Sequence, residues 1–253
     1  MNNMKRQHRF LIVVFVLLAI TLSSCTTSQK QAKLSQNDPS YNDWKYEEIK
    51  DGQIEITAYN GKSESVIIPE TIDGLRVISL GKESFLHNKT VIHIVMPDSL
   101  ESIGDQAFLG CTSLKDINIP SSVNKIGKSA FAGCNAIETV EIPDSVREMG
   151  DMCFLKCEGL KKATIPGSIS IIGASIFANC EALEEVVFLD GVKSIDNFVF
   201  LNCKSLKTVV LPYSVKSIES FAFQNCSKSA KVISSSSYVK EYCKKKNIKY
   251  DSK

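Results

Sequence analysis

The chain has 253 residues, 43% of them hydrophobic, which is enough apolar material for a sizeable core. Thirty basic side chains stand against 28 acidic ones, a balance with no electrostatic footprint for nucleic acid. With only three histidines beside nine cysteines, the cysteines carry the main chemical question.

At the N-terminus, Lys5, Arg6 and Arg9 precede the almost unbroken apolar run Phe10 to Leu22, "FLIVVFVLLAITL". These thirteen residues fall short of the roughly 20 that a membrane-spanning helix needs. The pattern predicts a secretory signal over residues 1–24. The run ends in "LSSC", Leu22 to Cys25, which resembles the bacterial lipobox. That resemblance implies that Cys25 becomes an acylated N-terminus. Several acyl chains, at about 0.8 kcal/mol per buried methylene, would hold the protein on a membrane. An ordinary signal ending beside a chance cysteine is the competing reading. Without the three basic signal residues, 27 basic groups face 28 acidic ones, so the mature chain is about neutral.

Residues 25–43 are polar, "TTSQKQAKLSQNDPSYND" after the cysteine, and predict a flexible tether. From residue 44 to 79 the sequence predicts an N-terminal cap. "YEEIKDGQIEITAYNG" alternates like two strands turning at Asp51-Gly52, and Trp44 belongs with them.

A strict repeat follows. Cys111, Cys134, Cys157, Cys180, Cys203 and Cys226 are each 23 residues apart. Phe85, Phe108, Phe131, Phe154, Phe177, Phe200 and Phe223 keep the same interval, as do Leu114, Ile137, Leu160, Leu183 and Leu206. Pro97, Pro120, Pro143, Pro166 and Pro212 make a further column, with Leu189 substituting once. In each unit a piece such as "LKDINIP" alternates like a strand with one buried face, and proline ends it. "SVNKIG" is a second short extended piece, and "KSAFAGC" is expected to form a helical or 3₁₀ turn with Ala130, Phe131 and Cys134 inward. No such unit buries its apolar edge alone, so the units must stack.

The expectation is an α/β solenoid of about seven 23-residue coils over residues 80–233. Its short strands would pair in parallel about 4.8 Å apart, like residue over like residue. A C-terminal cap over 234–253 is expected from "SSSSYVKEYCKKKNIKY", a capping serine, a short helix and a last strand. Tyr238, Tyr242 and Cys243 would lie over the last coil. The phrase "IPSSVNKIGKSAFAGCNAIETVEIP" resembles the BspA-like leucine-rich repeats of bacterial surface proteins, and the resemblance spans roughly Tyr46 to Tyr250. It implies a leucine-rich-repeat fold and adhesion to host proteins or other cells.

Four readings of the cysteine column stay open. The expected one is structural, a small thiol filling a tight turn and donating weakly to backbone carbonyls. Asn88 occupies the same position one coil earlier and can bond its own backbone. Disulfides between neighbouring coils are permitted in a secreted chain, although stacked parallel side chains rarely reach the required dihedral. Metal binding would start from Cys153 and Cys157, but Cys153 stands where Ala107 and Ala130 do, and paired C-x-x-C elements are missing. A cysteine nucleophile would need a distinctive member in a column of equivalents.

Nothing else supports catalysis, a cofactor or a small-molecule substrate; His87 and His93 have no evident acid partner. Two exposed columns are more informative. Lys115, Glu138, Lys161, Glu184 and Lys207 alternate in sign, which predicts a charge ladder steadying the stack or, alternatively, a polar docking strip. The mid-strand column Asn118, Glu141, Thr164, Val187 and Val210, headed by Val95, supplies the candidate partner-binding residues, and ordinary strand propensity is the competing explanation for its valines. The partner expected is a protein or other cell-surface macromolecule. An envelope scaffold without an adhesive role is the rival reading.

Overall fold

The computed structural model describes residues 33–252; the signal, Cys25 and the first part of the tether lie outside them. From Ser65 onward the chain winds through three-sided coils. The first side carries short strands, among them His93–Val95, Asp116–Ile117, Thr139–Glu141, Lys162–Ile165, Glu185–Phe188, Thr208–Val210 and Lys231–Ser234. Most of these end near the proline column, because proline has no N–H to give the next ladder position, while Leu189 and Ser235 hold that place after Glu185–Phe188 and Lys231–Ser234. The second side carries the two-residue strands Ser102–Ile103, Lys125–Ile126, Glu148–Met149, Ile171–Ile172, Ser194–Ile195 and Ser217–Ile218. Successive coils pair in parallel, and the register is one period: Thr139 lies beside Lys162, Lys162 beside Glu185, Lys125 beside Glu148.

Glycine closes most second-side strands for a reason of space. A Cβ on Gly127 would sit 2.4 Å from the Asp105 nitrogen, and one on Gly150 2.4 Å from the Lys128 nitrogen. The coils approach so closely at this corner that a side chain would force them apart.

The third side is where "KSAFAGC" is expected to form a helical or 3₁₀ turn. It is a pair of linked turns, closed by Ala132 N–H to Ser129 O at 3.1 Å and Cys134 N–H to Phe131 O at 3.2 Å. Two left-handed residues per coil interrupt any helix: Gln106, Ser129, Met152, Ser175 and Phe198 in one column, Gly110, Gly133, Lys156, Asn179 and Asn202 in the other. The inward aim holds, since Ala130, Phe131 and Cys134 are fully buried.

This side also forms the spine of the stack. Phe108 N–H donates to Ala130 O at 2.7 Å, Phe131 to Cys153 O at 2.9 Å, Phe154 to Ile176 O at 3.0 Å, and so on through Phe200. The first-side sheet divides between Asp116–Ile117 and Thr139–Glu141, and the second-side sheet between Glu148–Met149 and Ile171–Ile172. The turn ladder runs unbroken across both divisions.

Inside the spine the phenylalanines stack. Ring centroids of Phe108 and Phe131 are 5.2 Å apart and within 4° of parallel; Phe131 and Phe154 are 5.5 Å apart and within 6°. Each buried ring contributes on the order of 1.5–3 kcal/mol, with about 0.5–1.5 kcal/mol more per aromatic pair. The column continues into both caps: Phe85 stacks on Tyr59, which lies 4.7 Å from Trp44, and Phe223 meets Tyr242.

The N-terminal cap is the antiparallel pair Trp44–Lys50 and Gln53–Tyr59, turning at Asp51-Gly52 with Gly52 at φ 71°. Upstream of residue 44, the stretch read as tether is in part packed against the domain. Lys33–Leu34 pairs in parallel with Thr71–Ile72, and Leu34 is buried. Tyr41 and Tyr46 both donate to the Asp73 carboxylate, at 2.7 and 2.9 Å. One apolar residue and two phenols suffice to anchor an otherwise polar segment.

At the other end, helix Ser237–Lys246 and strand Lys249–Ser252 close the stack. Tyr242 and Cys243 are buried under the helix; Tyr238 is partly exposed and accepts the Ile218 N–H at 3.0 Å.

Candidate partner-binding face

The first side presents three outward columns to solvent. The mid-strand column places Glu141, Thr164, Val187 and Val210 side by side in one ladder, continued by Ile233. Asn118 directly follows Asp116–Ile117, the last strand of the separate sheet at the N-terminal end, and is not joined to Glu141 by strand pairing. Asn118 and Glu141 are exposed, whereas Thr164, Val187 and Val210 are half-buried by their neighbours. Toward the N-terminus the column ends in apolar residues, with Ile67 beside Val95, 62% and 44% exposed.

Alternating charges flank this strip and meet. Lys161 Nζ lies 2.9 Å from Glu138 and Lys207 Nζ 2.8 Å from Glu184, as the ladder requires. Lys207 holds the Glu184 carboxyl below its ordinary range by hydrogen bonding and charge. In the next column Lys162 pairs with Glu185 at 3.1 Å, and Lys231 reaches across to Asp251, which lies beside Ile233, at 2.8 Å. All are solvent-exposed pairs, each worth no more than about 1 kcal/mol. Their effect is to cancel much of the local field along this face.

His93 does have an acid partner: its Nδ1 lies 2.7 Å from Asp116 Oδ2. Asp116 is one period downstream, so the repeat interval itself was the signal. The pair is open to solvent and does not join a third group.

The thiol column is built into the backbone. Cys111, Cys134, Cys157, Cys180 and Cys203 each donate from Sγ to the carbonyl of the phenylalanine 26 residues back, at 3.0 to 3.2 Å. Burial pushes the thiols up, Cys157 and Cys203 to about 12. Such groups are poor nucleophiles. Cys153 is buried in the alanine position without a ligand set. The eight described cysteines are free thiols, and among the described residues no cluster of three or more His, Cys, Asp or Glu could hold a metal. Asn88 accepts from the Thr90 and Val91 N–H groups, both at 3.0 Å, closing its own turn.

A second staple was hidden in the "P-x-S-V" phrase. Ser99, Ser168 and Ser214 donate to the carbonyls of Val77, Val146 and Val192, 22 residues back, at 2.6 to 2.7 Å. The hydroxyl staple is intermittent, since Ser122 and Ser145 in the same column have buried hydroxyls without a partner.

The repeat geometry is matched by a family model. The model for the BspA type leucine rich repeat region matches residues 78–203 and 170–250, in six copies. The chain belongs to the BspA-type leucine-rich-repeat family. Among solved structures, this BspA-type chain is similar to the leucine rich repeat protein of T. pallidum, with a TM-score of 0.56 and 23% identity over 83% of this chain and 96% of that one. It is also similar to a leucine-rich repeat protein from Bacteroides ovatus, with a TM-score of 0.50 and 21% identity over 77% and 70% of the two chains. Both likenesses concern the fold. A search of curated proteins finds no match.

BspA-type repeats leave a second surface, the outer wall of the second side. There a groove of about 540 Å³ is lined by Lys125, Lys128, Arg147, Glu148 and Asp151. Lys125 pairs with Glu148 at 3.2 Å, and Asp151 accepts the Ala174 N–H at 2.9 Å, so much of its charge is already used. No helix among the described residues is long and apolar enough to cross a membrane.

Proposed function

We propose that this chain is a lipid-anchored protein of the bacterial cell envelope that binds other proteins through the first-side face, acting in adhesion to host or other cell-surface macromolecules. The observation that carries the reading is the register of that face. Glu141, Thr164, Val187, Val210 and Ile233 stand one strand spacing apart on a stack fixed by three ladders. A partner therefore meets a preorganised surface and loses little freedom in ordering it. Self-paired charges beside the strip favour recognition by fit over long-range attraction. The action is binding, with no reaction and no cofactor.

Anchoring rests on the sequence alone: a basic head, thirteen apolar residues and "LSSC" ending at Cys25. Mass analysis of the N-terminal peptide should find an acylated Cys25, and an unmodified Cys25 or cleavage elsewhere removes the membrane tether. Residues 26–253 should be screened for binding to matrix proteins and intact cells, with Val187→Lys and Val210→Lys as surface variants. Binding that is lost in these variants supports the face; binding that survives both places the interface elsewhere. Protease treatment of intact cells separates the adhesive reading from an inward-facing envelope scaffold, since only an exposed adhesin is shed in fragments.

A further inference from the structure

At the C-terminal end the third-side column that reads Gln106, Ser129, Met152 and Ser175 in earlier coils changes to Phe198 and Phe221. The two rings stack at the surface, 5.6 Å between centroids and 8° from parallel. Phe198 shares the left-handed conformation of its column, at φ 63°. Phe198 is half-buried, and Phe221 is 52% exposed.

Beside the rings lies a concavity of about 300 Å³, lined by Ser220, Phe221, Phe223, Gln224, Tyr242, Lys246 and Ile248. That volume is at the low end for ligand sites and holds about one sugar ring. Lys246 brings with it the most basic part of the molecule. Residues 228–252 contain seven lysines against two acids, and of these only Lys231 takes part in an ion pair among the described residues. The helix dipole accounts for Lys244, Lys245 and Lys246 in the last turn, and protection of an open sheet edge accounts for Lys249. Neither accounts for an exposed aromatic platform beside a concavity that Lys246 lines.

We infer that the C-terminal cap binds an acidic glycan, one ring of which stacks on Phe221 in this concavity while its carboxylate or sulfate groups meet Lys246 and the neighbouring lysines. The flat apolar face of a pyranose complements an aromatic ring, and its hydroxyls suit the Gln224 amide and the Ser220 hydroxyl at the rim. An acidic peptide without aromatic residues or proline would use the lysines but has no ring face for Phe221. The site is remote in the coil from the first-side strip and does not depend on what that strip binds.

The test is calorimetric titration of residues 26–253 with a sulfated heparin octasaccharide, a neutral dextran octasaccharide and poly-glutamate. The octasaccharide should bind, weakening as salt rises. Phe221→Ala and the double variant Lys245→Gln, Lys246→Gln should each lose about tenfold in affinity, while Phe221→Trp retains binding. The double variant and Phe221→Trp keep the test decisive if Phe221→Ala fails to fold. Absence of octasaccharide binding overturns the inference. So does equal binding of poly-glutamate with no loss in Phe221→Ala, which marks a plain cationic surface. Dextran binding that ignores the lysine variants overturns the acidic half.

Discussion

The interior of the spine and the outward strip of the first side are built on the same 23-residue period but use it differently. Inside, the same residue recurs coil after coil: phenylalanine on phenylalanine at 4.9 to 6.1 Å, thiol over thiol, the thiols from Cys111 to Cys203 each on the carbonyl of an earlier phenylalanine. Outside, the mid-strand column runs through Val95, Asn118, Glu141, Thr164, Val187 and Val210 without repeating a chemistry for long. An inward position must fit the copy above and the copy below, so one solution propagates. An outward position meets solvent on one face and can differ at each step. The repeat thus separates the residues that hold the fold from those free to recognise.

That contrast can be broken most forcefully at the ring stack. Phe131→Ala leaves a cavity between Phe108 and Phe154 and should cost about 3–5 kcal/mol, read by denaturant unfolding. A cost near that of a surface change would mean that the stack collapses freely and the interior is not constrained. Next in size is the thiol column. Cys157→Ala removes a buried side chain and its bond to the Phe131 carbonyl, and should cost about 1–3 kcal/mol by the same measurement.

Alkaline titration sharpens the comparison. Burial raises the folded thiols from the ordinary value of 9.0 to about 12 at Cys157 and Cys203, so the folded state holds these protons more tightly than the unfolded chain. Their contribution is fully present below about pH 9 and is lost as pH rises toward 12. Unfolding temperature should fall over that window, and less steeply in a variant with Cys157 and Cys203 replaced by alanine. The smallest effect belongs outside. Lys161→Glu places like charges beside Glu138 and Glu184 and should cost no more than about 1 kcal/mol, shrinking in high salt.

What could be read from the sequence follows the same division. The phenylalanine, cysteine and leucine columns announced the stack because inward positions repeat. The Asp51-Gly52 turn announced the cap hairpin because its geometry demands a residue that tolerates φ 71°. The linked turns of the third side were only half legible. Gly110, Gly133, Asn179 and Asn202 advertise a left-handed column, but Gln106, Ser129, Met152 and Phe198 occupy the other one without any such preference. Leu34 and Tyr41 lie in a polar stretch whose composition hides that Ile72 and Asp73, far along the chain, receive them. The pair His93–Asp116 and the serine staples were legible in principle, since both follow from laying one period over the next. The Phe198–Phe221 platform breaks its column, and a reading built on repetition passes over what does not repeat.

The most direct trial of the central claim, that the cysteine column is buried structure, is thiol labelling of native residues 26–253 with a soluble disulfide reagent. Half-exposed Cys226 should react first, and Cys111, Cys134, Cys157, Cys180 and Cys203 only as the protein unfolds. Rapid labelling of a single column member in the native state would contradict the account.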